Sequence, residues 1–583
     1  MELVMSKHRT ISLYCLMFHF VAIAFGTNTT RVLTQQGYVR GIRQDIQTHQ
    51  GQTKTIYKFL GVPYVEKPIG NLRFKPPQAL SNQRLSDYNA TDFRPICIQS
   101  GNYFDSISRA WPEFDPKRDM SEDCLYLNIY TPSTNSTWRY PVIVHIHGGS
   151  YYVGTPTRDI LAGEYLPTRG VVLVTIQYRL GPFGFFTTGD SEAPGNLGLL
   201  DQVEALKWVQ RNINSFGGDN NSVTLLGESA GGSSVALHYL SPLSSGLFHR
   251  GIAVSGVDFC PFAYKPKSSV LAYSKELVKN VNCTRNSSQL IVQCLQLVSS
   301  TNVFTNSRYW LLQPFVDQHF LPDNPKALKK RGQFLKLPLM AGFVSQEGSF
   351  VLEFEKVNVY DDRSFRTYLE SFFELKFGRK VHNAQAAYSA LKSQYTPDNN
   401  DPSEYRKKLV EMLSDFYVTA PTHPSLTFQS ENSTANFMFE FAHRSQFHPK
   451  PQWMGVVHED TTAYKFGLPL LSSNPSELRF DDNDRNVSDM VVTMFTNFAK
   501  FGNPTPTAVN GVQWASFNSS LKNYLKIQSN PVMTSNYYPQ RMTFWNSRFP
   551  MLFPNNSTLP SSTGPQSRGT KVIRDELLIL PIW

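Results

Sequence analysis

The hexapeptide Gly227-Glu228-Ser229-Ala230-Gly231-Gly232 holds a serine between glycines, after the apolar run "SVTLL" and before "SSVALHYL". A strand, a tight turn and a helix in that order lift the serine hydroxyl above the edge of a sheet, where it can act as a nucleophile. The glycines let strand and helix approach closely. The same letters also arise in an ordinary turn, so the other groups a nucleophilic serine requires must decide. At neutral pH it needs a base, usually a histidine, oriented by a carboxylate, and backbone amides aimed at the developing oxyanion. The helix after the turn points its N-terminus at the reacting oxygen, which makes the amide of Ala230 one donor. A second set is offered by "HIHGGSYYVG", where Gly148, Gly149 and Ser150 directly follow an apolar run.

When such a serine sits on an α/β sheet, the acid and then the base follow it along the chain. Glu347 in "AGFVSQEGSF" comes just after a later strand candidate and suits the acid. Three histidines, His443, His448 and His458, follow the last strand candidate, "NFMFEF" at 436–441, and spacing does not choose among them.

The elements that must position these groups read as short apolar strands alternating with helices. The runs "PVIVHIH" (141–147), "VVLVTIQY" (171–178), "SVTLLG" (222–227), "GIAVSG" (251–256) and "PLMAGFV" (338–344) are continuously apolar, as strands buried on both faces are. Between two of them Leu199, Val203, Leu206, Val209 and Ile213 recur at helical spacing, and Gly217-Gly218 ends that helix. This β-α-β order predicts an α/β fold with a large, mostly parallel central sheet flanked by helices, in a single domain over 27–550.

The chain has 583 residues, 41% of them hydrophobic and 17% charged, which is an ordinary globular balance. Its formal charge of +10 is spread in ones and twos, as in "ALKKRGQF" and "EYRKKLVE", so a solvated surface is expected and not a nucleic-acid site. Lys7, His8 and Arg9 precede an apolar run over 11–25, with small residues at 22, 24 and 26, and residues 1–26 read as a secretory signal peptide. Eleven N-x-S/T sequons agree with secretion: Asn28, Asn89, Asn135, Asn220, Asn282, Asn286, Asn432, Asn486, Asn518, Asn555 and Asn556. Past the leader no apolar run is long enough to span a membrane. Without the leader five cysteines remain, Cys97, Cys124, Cys260, Cys283 and Cys294, so two bridges and one free thiol are the simplest count. Cys283 and Cys294 bracket a polar loop that a bridge would fasten. No C-x-x-C spacing favours zinc, and no metal or organic cofactor is expected. Residues 551–583 are polar and rich in Pro and Ser before a short apolar end, and are expected to be disordered. A homodimer, or a partner docking on that tail, stays open.

Taken in order, "FLGVPYVEKPIGNLRFKPP", "MSEDCLYLNIYTP", "HIHGGSYYVG", "GNLGLLDQVEALKWV", "GESAGG", "EGSF", "WMGVVH", "FGLPL" and "FAKFGNP" resemble the type-B carboxylesterase and cholinesterase family of α/β-hydrolases over about 30–548. The resemblance implies Ser229 as nucleophile, Glu347 as acid and His458 as base. It also implies an oxyanion hole from Gly149, Ser150 and Ala230, with Glu228 beside the nucleophile, and disulfides Cys97–Cys124 and Cys283–Cys294 that leave Cys260 free. The chain departs from the family in its Gly-Gly-Ser loop and in "HEDT" after the histidine. A further departure is Phe114, standing where cholinesterases carry a tryptophan that stacks on choline. Tyr152, Trp310 and Phe350 are candidate aromatic walls for a small ester substrate. The expectation is a secreted, glycosylated serine esterase preferring neutral esters. Its rivals are a choline ester hydrolase and a neuroligin-like adhesion ectodomain whose site is a relic.

Overall fold

The computed structural model describes residues 29–81, 85–100, 119–156, 163–378, 383–431, 435–472 and 478–553. The leader, most of the polar tail, Phe114 and the sequons at Asn28, Asn432, Asn555 and Asn556 lie outside these residues.

Among the described residues thirteen strands form one sheet. Its centre is parallel and runs, in spatial order, Val172–Ile176, Tyr140–Ile146, Gly218–Glu228, Arg250–Val254, Leu339–Val344, Phe437–Phe441 and Asn523–Ile527. Every residue of Val172–Ile176 and Leu339–Val344 is buried, which is why these segments are apolar without alternation. The expected mostly parallel sheet holds here but not at the margins. Thr29–Thr34, Gly37–Gln47, Thr53–Pro63 and Tyr126–Thr131 add antiparallel pairs on one side, and Val532–Ser535 does so on the other. Polar residues dominate the outermost of these strands, so they leave no continuous apolar run to find. The strand before Ser229 starts at Gly218, earlier than its apolar run, and its register shifts between Asp219 and Val223.

The helix expected around 199–213 spans Leu197–Asn212, with Leu199, Val203, Leu206 and Val209 buried. It closes through a 3-10 turn onto Gly217, whose φ of 75° is the left-handed conformation that glycine adopts without steric cost. Because the central strands are parallel, the segments after Ile146, Glu228, Val344 and Phe441 all leave the same edge of the sheet. Sites in such sheets form outside the carboxyl ends of the strands.

Both disulfides are those the resemblance implied, Cys97–Cys124 and Cys283–Cys294, with Cα separations of 4.9 and 5.5 Å, and Cys260 is a buried free thiol. Of the described sequons, Asn89, Asn135, Asn282, Asn286, Asn486 and Asn518 are exposed. Asn220 is partly covered, and its amide nitrogen donates to the Gln210 carbonyl. No helix among the described residues is long and apolar enough to cross a membrane.

One buried ion pair fastens the strand-to-helix connections to this frame. Arg179, which follows the strand Val172–Ile176, donates from Nε and Nη2 to the two oxygens of Asp201 at 2.8 and 2.7 Å, and from its amide at 3.0 Å. The two side chains are 4% and 0% exposed, so removing one partner leaves the other charged and desolvated. Asp201→Ala should cost about 3–5 kcal/mol, seen as a lowered midpoint in denaturant unfolding. A wild-type midpoint would show that water or another group replaces the carboxylate.

Candidate active site

Ser229 joins the strand Gly218–Glu228 to the helix Ala230–His238 with φ 58° and ψ −125°. A non-glycine residue held there costs about 1–3 kcal/mol, and such strain persists only where the surroundings over-determine it. Here the Ser229 amide donates to the Val254 carbonyl and the Ser233 amide donates to the Ser229 carbonyl, both at 2.9 Å. Helix and sheet are in contact at this turn: a Cβ on residue 231 would lie 2.1 Å from the Ile146 carbonyl oxygen. Ser229 is 0% exposed, and its hydroxyl makes no hydrogen bond among the described residues. Ala230, first residue of the helix, carries one of the amides that an α-helix leaves without an internal partner.

The loop after Tyr140–Ile146 lies against this serine. A Cβ on Gly148 would come within 3.2 Å of the Ser229 Cβ. Gly149 has φ 103°, and a Cβ there would meet the Val153 carbonyl oxygen at 2.1 Å, so no side chain fits. Ser150 and Tyr151 follow at φ 51° and 66°, and Ser150 is buried. The departure to Gly-Gly-Ser thus places a side chain on a backbone that glycine would take without strain.

All three candidate histidines turn out to have carboxylate partners. His443 Nε2 lies 2.7 Å from Asp484, which also accepts from Tyr464 and Ser445 and is held down at about 2 despite its burial. His448 Nε2 lies 2.8 Å from Asp460, whose other oxygen accepts from the Val457 amide. His458 Nδ1 lies 2.5 Å from Glu347, whose other oxygen accepts from the Val344 amide at 2.9 Å. Pairing alone therefore does not select the base. Glu228, the residue before the serine, accepts from Thr461 at 2.6 Å and from Thr462 and Lys465, all on the segment that follows His458. Burial pushes the His458 imidazole down, but the Glu347 carboxylate and its hydrogen bond raise it above its ordinary value, with Glu228 adding and Lys465 opposing.

Glu228 is itself buried. Burial alone would raise its carboxyl, yet the Lys465 ammonium and the two threonine hydroxyls hold it below the ordinary range. Lys465, Thr461 and Thr462 escaped the sequence reading because their relation to Glu228 spans more than 230 residues and follows no spacing rule. Glu459 was visible only as a departure from the family. It takes φ 76°, and burial together with the neighbouring Glu228 pushes its carboxyl well above the ordinary carboxylate value, with Lys465 opposing.

Of the aromatic candidates, Phe350 stacks on the His458 ring at 5.8 Å. Tyr152 and Trp310 both pack on Tyr309, at 5.3 and 4.7 Å. Gln313 donates to the carbonyls of Ser150 and Trp310, which ties this aromatic wall to the glycine loop. No group of three or more His, Cys, Asp or Glu among the described residues has the geometry to hold a metal ion.

The arrangement invites comparison with known proteins. The model of the carboxylesterase family matches residues 28–545. The acetylcholinesterase of Bungarus fasciatus is 32% identical over 545 residues, covering 90% of this chain and 87% of that protein. A match of that extent, on a sheet whose carboxyl edge gathers the serine turn, the glycine loop and the glutamate–histidine pair, makes this chain a member of the carboxylesterase family.

Proposed function

We propose that the protein hydrolyses carboxylic esters through an acyl-enzyme on Ser229. The observation that carries this reading is the His458–Glu347 pair, joined to the serine turn through Glu228. His458 takes the proton from Ser229 as the hydroxyl attacks the ester carbonyl, and the amides of Gly149, Ser150 and Ala230 stabilise the oxyanion. The imidazolium then protonates the leaving alcohol. Water repeats the sequence on the acyl-enzyme, with His458 again as base, and releases the acid. Glu347 holds the ring by Nδ1 and stabilises its charged form. The leader, the sequons and the two disulfides support a secreted glycoprotein.

The same reading favours neutral esters. Lys465 compensates the Glu228 carboxylate beside the nucleophile, so no net negative charge is left there to attract a cation. Phe114 offers a weaker π face than the tryptophan of cholinesterases, and the surplus of positive charge repels cationic substrates.

Ser229→Ala and His458→Ala should each lower kcat on a neutral aryl ester by about 10⁴–10⁶, because a triad acts as a unit. His443→Gln and His448→Ala should retain most turnover per folded molecule. If wild-type protein neither turns over aryl esters nor reacts with a serine-directed organophosphate, the adhesion reading replaces this one.

The base works only when neutral, so kcat/KM should fall as pH drops through the His458 pKa. Since the Glu347 carboxylate raises that pKa, the acid limb should lie above the value of an ordinary histidine, about 6.5. A limb below that value would show that burial outweighs Glu347.

Acetylthiocholine should be a poorer substrate by kcat/KM than a neutral thioacetate of similar size. Phe114→Trp should improve it by up to roughly thirtyfold, the upper range of a cation–π contact. A wild-type preference for the choline ester would overturn the neutral-ester assignment.

A further inference from the structure

Glu347 and His458 stand 111 residues apart in the chain, on two separate loops. Beside their hydrogen bond lies a second link between the same loops. The Gln346 amide donates to the Val456 carbonyl at 3.1 Å, and the Val456 amide donates to Gln346 Oε1 at 2.7 Å. One residue of the acid loop thus closes a ring on one residue of the histidine loop, directly before Glu347 and two residues before His458. With Val457 donating to Asp460 at 2.6 Å, three consecutive residues, Val456, Val457 and His458, each meet a side-chain oxygen.

Both ends of this clamp are themselves held. The Gln346 carbonyl accepts from the Ser349 amide at 3.1 Å and from the Ser349 hydroxyl at 2.8 Å. Ser345, before it, donates from its amide to the Phe441 carbonyl and from its hydroxyl to Glu440. On the other side Gly455 has φ 64°, and a Cβ there would lie 2.2 Å from Gln346 Oε1. The missing side chain at 455 is what admits the Gln346 amide group to the Val456 N–H. Arg444 donates to the carbonyls of Gly455, Lys450 and Pro451 and holds the outer turn. Gln346 is partly exposed and makes no hydrogen bond to Ser229 or the glycine loop among the described residues.

We propose that Gln346 is a positioning residue for the His458–Glu347 pair, its side-chain amide setting how closely the two loops meet. A single hydrogen bond lets its partners pivot, whereas two bonds between one pair of residues resist both pivoting and sliding. Without the Gln346 acceptor the Val456 amide loses its partner and the histidine loop can drift, and a misplacement near 1 Å can cost about 10²-fold in rate. Burial lowers the His458 pKa, Glu347 and Glu228 raise it, and Lys465 opposes them. Glu459, next in the chain, moves with the histidine. Of these influences the Glu347 contribution is the one that depends on how the two loops meet, so a loosened pair lowers the pKa and carries the acid limb to lower pH. The effect on turnover rests on the esterase reading, whereas the loop geometry does not.

The test compares two substitutions in the full chain. Gln346→Met keeps the length of the side chain and removes the acceptor, while Gln346→Glu keeps the acceptor. The methionine variant should lose about ten- to a hundredfold in kcat on a neutral aryl ester, with KM little changed and an acid limb below that of the wild type. The glutamate variant should stay within a few-fold of wild-type kcat, with an acid limb no lower. A side chain that served packing alone would lower the denaturation midpoint of Gln346→Met and leave kcat per folded molecule and the acid limb unmoved, which overturns the proposal. A glutamate variant as slow as the methionine variant overturns it too. A second readout needs no turnover: in the full chain with isotope-labelled histidine, the His458 Nδ1 proton, assigned by its loss in His458→Ala, should resonate far downfield because Glu347 holds it. It should move upfield in Gln346→Met. Wild-type protein that is inactive yet shows this shift defeats the esterase reading and supports the positioning role. Active wild-type protein whose downfield proton is unmoved by Gln346→Met defeats the positioning role alone.

Discussion

The contact between the helix Ala230–His238 and the end of the central sheet is the constraint from which the rest of the site follows. With the Ile146 carbonyl oxygen 2.1 Å from where a Cβ on residue 231 would stand, only glycine permits this approach. The turn between strand and helix must then be as short as one residue, and Ser229 is forced to positive φ to make it. A longer turn would relax the serine, but it would swing the Ala230 amide away from the space above the strand ends. Gly148 obeys the same limit from the other side, because its place against the Ser229 Cβ brings the glycine loop to the serine. Backbone proximity sets the geometry here, before any side-chain chemistry.

A second organising interaction is the charge on Glu228. A carboxylate with its residue only 2% exposed would be very costly alone, and it persists because Lys465, Thr461 and Thr462 converge on it. All three come from the segment after His458, so the groups that neutralise Glu228 also dock the histidine's loop against the serine's strand. The coupling has an electrostatic consequence as well: Glu228 and Lys465 act on His458 in opposite directions, leaving Glu347 as the main influence against burial. Glu459, squeezed into positive φ between His458 and this cluster, is the residue whose carboxyl suffers most from the crowding.

The three paired histidines show why a local rule was insufficient. Asp484, Asp460 and Glu347 give His443, His448 and His458 equally good hydrogen bonds. In all three pairs the carboxylate also holds nearby chain: Asp484 gathers Tyr464 and Ser445, Asp460 caps the Val457 amide and Glu347 the Val344 amide. Asp460 thereby ties His448 to the loop of the third pair.

The sequence by itself determined the apolar parallel core, the strand-turn-helix around Ser229, the glycine loop after the strand Tyr140–Ile146, and the position of Glu347 just beyond a strand. These are features of contiguous residues, where periodicity and glycine placement act through local sterics. Motif order added the likeness to the family and the two disulfide pairings. The tertiary structure alone decided that the segment after His458 is tied to the residue before Ser229, and which cation answers Glu228. It also decided that polar antiparallel strands extend the sheet on its margins. Those outcomes depend on which strands become neighbours and on how buried charges find partners hundreds of residues away. No spacing along the chain encodes such relations, because burial and electrostatics act through space.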